Sequence, residues 1–226
     1  MADSLCYTRR MGSGFFLTFE GLDGSGKTTQ LRKLAVWLET RGHKATVTRQ
    51  PGGTRIGDRI RQLLLDSKTE KLAPLAELGL MFSDRAQAIA EVIAPALEAG
   101  HVVLCDRYTD STEAYQGGGR ELGSDVVLKM HEAMCGGLQP DLTILLLPDF
   151  DDSLRRARNR NQKNAKSGAD ENRFEREDSA FYRRVYNKYR EIALRDASRV
   201  VVIESDASID AIHQRIASVI EERLKH

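Results

Sequence analysis

The run Gly21-Leu22-Asp23-Gly24-Ser25-Gly26-Lys27-Thr28 has the residue types and spacing, G-x-x-x-x-G-K-[ST], that cradle a triphosphate. Gly21, Gly24 and Gly26 let the backbone curl so that successive N–H groups face oxyanions. A helix opening directly afterwards adds the partial positive charge of its N-terminus. In such a loop Lys27 reaches the β- and γ-phosphates and the Thr28 hydroxyl ligates Mg²⁺. The apolar run Phe15–Phe19 precedes the loop, and from Thr29 onward Leu31, Leu34, Ala35 and Leu38 recur at helical spacing. This strand–turn–helix context marks residues 21–29 as the binding segment for a nucleoside triphosphate.

Three further features narrow the chemistry. Asp23 lies inside the loop, where a carboxylate is repelled by phosphates unless it faces away. It is either a solvated turn residue or the acceptor of a hydroxyl from a second substrate. Asp106 and Arg107 end an apolar run, Val102–Cys105; they are either a structural ion pair or a Mg²⁺-side carboxylate beside a phosphate-forking guanidinium. Arg155, Arg156, Arg158, Arg160 and Arg173 flank residues 161–172, which lack apolar periodicity and are rich in Asn, Lys, Gly and Ser. A charge run of this kind is commonly a solvated face. Beside a phosphate edge it fits a closing lid that brings arginines onto a transferring phosphoryl group.

These residues need a frame. Phe15–Phe19, Ala45–Thr48, Val102–Cys105, Leu142–Leu147 and Val200–Ile203 read as five apolar strands alternating with helical segments. Helices are predicted after the loop, at Ile60–Leu64, from Pro74 to about Ala94 before Pro95, over Ser124–Cys135, from Leu154 to about Asn161 behind Asp151, Asp152 or Ser153 as cap, over Phe174–Leu194, and from Ile209 onward. The expected fold is α/β: a five-stranded parallel sheet with helices on both faces, a three-layer P-loop NTPase-like arrangement with a mobile lid at about 155–175. Ligands of such sheets bind beyond the carboxyl ends of the strands, where the candidate residues fall. Residues 1–14 read as a polar, flexible extension and 15–226 as a single domain.

Composition removes other classes. Charged residues make up 30% of the 226 and sum to a net +1, so there is no global basic field for nucleic acid. The three cysteines, Cys6, Cys105 and Cys135, are widely spaced, which argues against a disulfide framework or a zinc site. No run is long enough for a membrane span and residues 1–14 lack a signal-peptide core, so a cytoplasmic protein is expected. None of the five histidines sits in a catalytic or metal-binding motif.

Taken in order, Phe19-Glu20-Gly21-Leu22-Asp23-Gly24-Ser25-Gly26-Lys27-Thr28-Thr29, Thr48-Arg49-Gln50-Pro51-Gly52-Gly53-Thr54, Asp106-Arg107-Tyr108, Ser111–Arg120 and Gln139-Pro140-Asp141-Leu142-Thr143 resemble thymidylate kinases of the bacterial type. The resemblance implies transfer of the ATP γ-phosphate to the 5′-phosphate of dTMP, with Mg²⁺ held by Thr28 and Asp106. It places Asp23 on the acceptor 3′-hydroxyl, Arg49 and Arg107 on its phosphate, Arg85 on a thymine carbonyl, and Phe82 against the base. Thr112 and Gln116 would line the base pocket, and Tyr115 would crowd the sugar 2′ position. Gly24 stands where the eukaryotic type carries an arginine, and the catalytic set becomes Lys27, Arg107 and the lid arginines Arg156, Arg158, Arg160 and Arg173. The family is commonly a homodimer.

Departures from the family pattern are Gln50 in place of an acid, Leu147-Pro148 after the fourth strand, a long lid, and Asn172 before Arg173. Two other functions are compatible with a phosphate loop: a kinase for another nucleoside monophosphate such as UMP or CMP, and a non-catalytic nucleotide switch. The switch leaves the lid arginines without a purpose and lacks an Asn-Lys-x-Asp guanine-reading element.

Overall fold

The computed structural model describes residues 14–66, 72–156, 173–204 and 207–225. Strand β1 (Phe15–Glu20) is its centre and is buried from Phe16 onward. Side chains alternate along it, so Leu17 and Phe19 go to one face, and Phe16, Thr18 and Glu20 to the other. Strands β2 (Ala45–Arg49), β3 (Val102–Asp106), β4 (Leu142–Leu146) and β5 (Val200–Ile203) join it in the order β2-β3-β1-β4-β5, every neighbouring pair parallel.

Both faces are covered, which is why these strands read as continuous apolar runs. On the first face, α1 (Lys27–Glu39) and α9 (Ile209–Leu224) set Leu31, Leu34, Leu38, Ile212 and Ile216 against Leu17, Phe19, Leu104 and Ile144. On the second, α3 (Pro74–Ala88) and α6 (Ser124–Cys135) pack Leu78, Phe82 and Val127 with Phe16, Val103 and Cys105. Helix α8 (Ser179–Arg195) adds Val185, Tyr189 and Ile192 against Leu145 and Val200. Helix α2 (Arg55–Leu65) follows β2 and is capped by the Thr54 hydroxyl, which accepts from Gly57 N at 2.8 Å.

The chain leaves β1 for the outer β2, returns to β3 at one side of β1, and then crosses to β4 at the other. The order reverses around β1, so its carboxyl end is where a crevice opens. In register, Phe19 lies opposite Asp106 on one side and Ile144 on the other. The loop after β1 therefore meets the tip of β3, although the two are separated by about 80 residues of sequence.

Several element ends differ from the sequence-based expectation, each for a local reason. Helix α1 begins at Lys27 rather than Thr29, because Gly26 takes a left-handed conformation (φ 97°) and caps it. Pro95 does not stop the helix before it. The chain widens into a π turn over Ile89–Ile93, in which Ala94 N bonds to Ile89 O, and Pro95 then enters the first turn of α4 (Ala94–Glu98), where its missing N–H costs nothing.

The glycine-rich stretch before Arg120 is also helical. Helix α5 (Thr109–Thr112) runs into a π-helical segment, Glu113–Gly119. Its glycines serve close packing: a Cβ on Gly119 would lie 2.5 Å from the Phe181 ring, and one on Gly118 would lie 2.8 Å from Lys188 Cβ. Helix α7 (150–156) starts earlier than expected, with Asp149 rather than Asp151, Asp152 or Ser153 accepting the first N–H, from Asp151 at 2.9 Å. The expected long helix from Phe174 is instead a short 3₁₀ turn, Arg173–Arg176, followed by α8, whose cap Asp178 accepts from Phe181 N at 2.7 Å. The expectations for residues 1–13 and for Arg158 and Arg160 lie outside the described residues.

Candidate active site

Leaving β1, the backbone turns so tightly that a side chain at Gly21 (φ 131°) would place its Cβ 2.2 Å from Leu146 O. Lys27 folds back over this turn and donates from Nζ to the carbonyls of Gly21 (3.0 Å) and Leu22 (2.9 Å). Burial first, and the Arg107 charge second, lower its pKa to about 8. The Ser25 hydroxyl is buried and meets no hydrogen-bond partner among the described residues, while Thr28 and Thr29 at the helix start are exposed. Thr28 Oγ1 donates to Asp106 Oδ2 at 3.0 Å, so a hydroxyl and a carboxylate from two elements share one position.

Arg107 sits at the tip of β3 in the left-handed region (φ 73°), a conformation that costs a non-glycine residue roughly 1 kcal/mol or more. Three hydrogen bonds hold the chain there: Arg107 N to Phe19 O (3.0 Å), Cys105 Sγ to Arg107 O (3.0 Å) and Tyr108 N to Glu20 Oε1 (2.7 Å). The twist aims the guanidinium into the crevice. Nη2 donates to Asp23 Oδ1 at 2.8 Å, and Nη1 to Ser111 Oγ (2.9 Å) and Tyr189 Oη (3.3 Å). The guanidinium also lies over the Tyr115 ring, 5.1 Å from its centroid.

A second cluster lies beside it. Arg85 donates from Nε to Gln50 Oε1 (2.7 Å) and from Nη2 to Thr112 Oγ1 (2.9 Å) and Tyr108 O (3.2 Å). Its guanidinium lies 4.8 Å above the wholly buried Phe82 ring. The loop 50–54 that carries Gln50 is tied down by acids of α2 and α3: Gly52 N donates to Asp84 Oδ1 (2.8 Å) and Gly53 N to Asp58 Oδ1 (3.2 Å). Arg85 Nη1, Gln50 Nε2, Asp84 Oδ2 and the Tyr115 hydroxyl are buried and find no hydrogen-bond partner among the described residues. Leaving such a group unmet costs about 1–3 kcal/mol, so their concentration here favours a polar ligand.

Residues 19–216 match the family model described as Thymidylate kinase. The chain belongs to the thymidylate kinase family. It is 45% identical over 212 residues to the thymidylate kinase of Citrifermentans bemidjiense, covering 94% of this chain and 93% of that one. It is 46% identical over 202 residues to that of Syntrophotalea carbinolica, covering 89% and 93%. Its structure superposes on the crystal structure of thymidylate kinase from Ehrlichia chaffeensis with a TM-score of 0.74 at 30% identity, covering 92% of this chain and 99% of that one. The family and the parallel α/β fold expected from the motifs are thus both found.

Among residues tied to thymidylate kinases by resemblance, the fold brings together Asp23, Lys27, Thr28, Asp106, Arg107 and Tyr115 in one crevice, and Arg85, Phe82 and Thr112 in the adjoining cluster. Others are placed elsewhere. Arg49 points to the surface, its side chain about half exposed, and pairs with Asp58 at 3.2 Å. Gln116 donates to Glu77 Oε1 at 2.8 Å. Arg173 also reaches Glu77, at 2.5 Å, and donates to Leu64 O, so its guanidinium anchors the end of the lid segment to α2 and α3. The Arg156 backbone passes over the loop, where a Cβ on Gly24 would come within 2.8 Å of its carbonyl carbon.

The motif reading gave no role to Glu20, Glu77 or Tyr189. Glu77 is wholly buried and gathers Gln116, Arg120 and Arg173. Glu20, also wholly buried, accepts from Tyr108 N and from the Ser111 and Tyr189 hydroxyls. One sequence signal could have found Glu20: an acid ending a strand that is apolar on both faces needs a partner.

Proposed function

We propose that this chain transfers the γ-phosphate of ATP to the 5′-phosphate of dTMP, yielding dTDP and ADP, by positioning and electrostatics. An acceptor phosphate oxygen bonds to the γ-phosphorus as the bond from that phosphorus to the β–γ bridging oxygen breaks, and ADP leaves with that oxygen. The observation that carries this reading is the 2.8 Å contact between Asp23 of the phosphate loop and Arg107 of β3. It supports reading the Arg107 guanidinium as the binder of the acceptor phosphate and the Asp23 carboxylate as the acceptor of its hydroxyl, both beside the donor loop. Arg107 and Asp23 pair with each other in this structure; on this reading dTMP draws Arg107 to the acceptor phosphate and Asp23 to the 3′-hydroxyl.

Two anions must be brought into contact, which demands focused positive charge and exclusion of water. Lys27 leaves the carbonyls of Gly21 and Leu22 for the donor phosphates, and Arg156, with Arg158 and Arg160, supplies charge to the transferring group, while Arg173 stays with Glu77. Arg85 and Gln50 offer unmatched donors to the carbonyls of thymine, with Thr112 holding Arg85 in place and Tyr115 packed against Arg107 on the sugar side. The Thr28 hydroxyl and Asp106 carboxylate suit Mg²⁺, which takes few protein oxygens and completes its shell with phosphate and water. When bound, the ion neutralises phosphate charge. No helix of the described residues is long and apolar enough to cross a membrane, and Cys105 and Cys135 are buried and unbridged, in keeping with a reducing cytoplasm.

The deciding experiment is ADP release with Mg·ATP and, in separate runs, dTMP, dUMP, dCMP, UMP and AMP. Turnover greatest with dTMP supports the reading; UMP or CMP in its place moves the base pocket, and acceptor-independent behaviour ends the kinase assignment.

The Lys27 environment adds a pH prediction. The protein's own groups set its pKa at about 8, so above this pH binding of a triphosphate must be accompanied by proton uptake at Lys27. The ATP dissociation constant should therefore rise by up to about tenfold per unit above about pH 8, measurable by calorimetry with a non-hydrolysable analogue. A flat profile would place Lys27 away from the phosphates.

A homodimer is also proposed. Ile56 and Leu63 on α2, Leu75 on α3 and Val126 on α6 are exposed, Leu75 to 64%, on helices that pack side by side. Leu75→Glu is expected to shift the mass seen by light scattering from dimer to monomer, and an unchanged mass would rule out this face.

A further inference from the structure

We infer that Glu20 is a positioning residue for the acceptor phosphate: it acts through the Ser111 and Tyr189 hydroxyls to hold Arg107. The inference rests on the proposed contact between Arg107 and that phosphate. Alternation along β1 points Glu20, like Phe16 and Thr18, to the face covered by α5 and α8. There its Oε1 takes the Tyr108 N–H at 2.7 Å, and its Oε2 takes the Ser111 Oγ–H and, at 3.1 Å, the Tyr189 hydroxyl. Ser111 and Tyr189 are themselves 2.8 Å apart.

Each hydroxyl carries a single proton. With Ser111 spending its proton on Glu20, and Tyr189 spending its own on Glu20 or Ser111, only lone pairs remain for Arg107. Arg107 Nη1 uses them, at 2.9 Å and 3.3 Å. Glu20 is thus an acceptor with no donor, and that property sets the direction of every hydrogen bond out to the guanidinium. The same carboxylate fixes the Tyr108 amide, which helps keep Arg107 in its left-handed conformation. Glu20 is buried, so water cannot take its place. Burial, with the Asp110 charge, raises its pKa to about 7, against lowering by Ser111, Arg107 and Tyr108, so at pH 8 it is mainly the carboxylate the network needs.

Glu20→Gln is nearly isosteric but reverses one direction. Its oxygen must serve the Tyr108 N–H, so its NH₂ faces the two hydroxyls, turns their protons outward and sets donors against Arg107. Binding of dTMP and of thymidine, which lacks the phosphate, is compared by calorimetry at pH 8, and ATP affinity is measured alongside. Glu20→Gln is expected to weaken dTMP by about ten- to a hundredfold while thymidine and ATP stay within about twofold. Added to Arg107→Ala, it should cause no further loss, since the two act as one unit. Retained dTMP affinity, or equal loss for thymidine, overturns the role of Glu20.

If Arg107→Ala itself fails to separate dTMP from thymidine, the acceptor-phosphate reading has failed instead, and the inference falls with it. Should Glu20→Gln not fold, Tyr189→Phe, which removes one of the two hydroxyls, is expected to weaken dTMP selectively by a few-fold; unchanged selectivity overturns the proposal.

Discussion

Lys27→Ala is expected to lower kcat/KM for ATP by about two to three orders of magnitude, the scale seen when one preorganised charge is removed from a developing anionic centre. The loss should appear at the donor, leaving dTMP affinity nearly unchanged. Stability offers an internal control. Burial holds the Lys27 pKa at about 8, well below that of an exposed lysine, so its charge opposes folding at neutral pH. The stability associated with this depressed pKa is present only at alkaline pH, above the unfolded value, and is lost as pH falls through about 8. Removing the amine relieves this penalty but leaves the Gly21 and Leu22 carbonyls without their Nζ donor, so the melting temperature at pH 7 is measured alongside turnover to separate lost chemistry from lost stability. Near-normal kcat/KM for ATP in the variant would sink the assignment of the phosphate loop.

The second large effect is expected at the other end of the reaction. Arg107→Ala should raise KM for dTMP by about a hundredfold, because the proposed charge-assisted, two-pronged contact to the acceptor phosphate is lost. KM for ATP should move little. Both arginine and alanine carry a Cβ, so the left-handed backbone at this position is equally strained in each, and the comparison isolates the guanidinium. Equal damage to both substrates would mean that Arg107 serves the donor. Arg107→Lys keeps the charge but loses the fork, and is expected to recover only part of the loss.

Much of the site can be read in the sequence because its chemistry is written locally. The phosphate loop needs consecutive glycines, a lysine and a threonine between a strand and a helix, all within one short segment. Asp106 and Arg107 end an apolar run, so their place at the carboxyl edge of the sheet follows from the run itself. Arg173 was harder to place. Basic residues beside a glycine-containing stretch suggest a lid over phosphates, yet Arg173 is drawn to Glu77, a buried acid nearly a hundred residues earlier. Nothing within a helical window around Glu77 distinguishes it from a solvated surface acid.

Pro95 shows the same limit at the level of the backbone. A proline ordinarily closes a helix, but here the chain widens by one residue per turn just before it and continues.

By itself, the sequence determined the five strands, their parallel packing between helical layers, the phosphate loop and the family. The strands and the phosphate loop depend on apolar periodicity or residue spacing inside a window shorter than one element pair, and the parallel packing and the family on the order in which such windows follow one another along the chain. Tertiary structure alone decided the strand order β2-β3-β1-β4-β5, the meeting of Asp23 with Arg107, and the burial of Glu20 beneath Ser111 and Tyr189. The side-chain contacts among these join residues 78 to 169 positions apart. A hydroxyl or a carboxylate acquires its partner only when sheet register and helix packing bring the two within about 3 Å, and no local pattern encodes that distance.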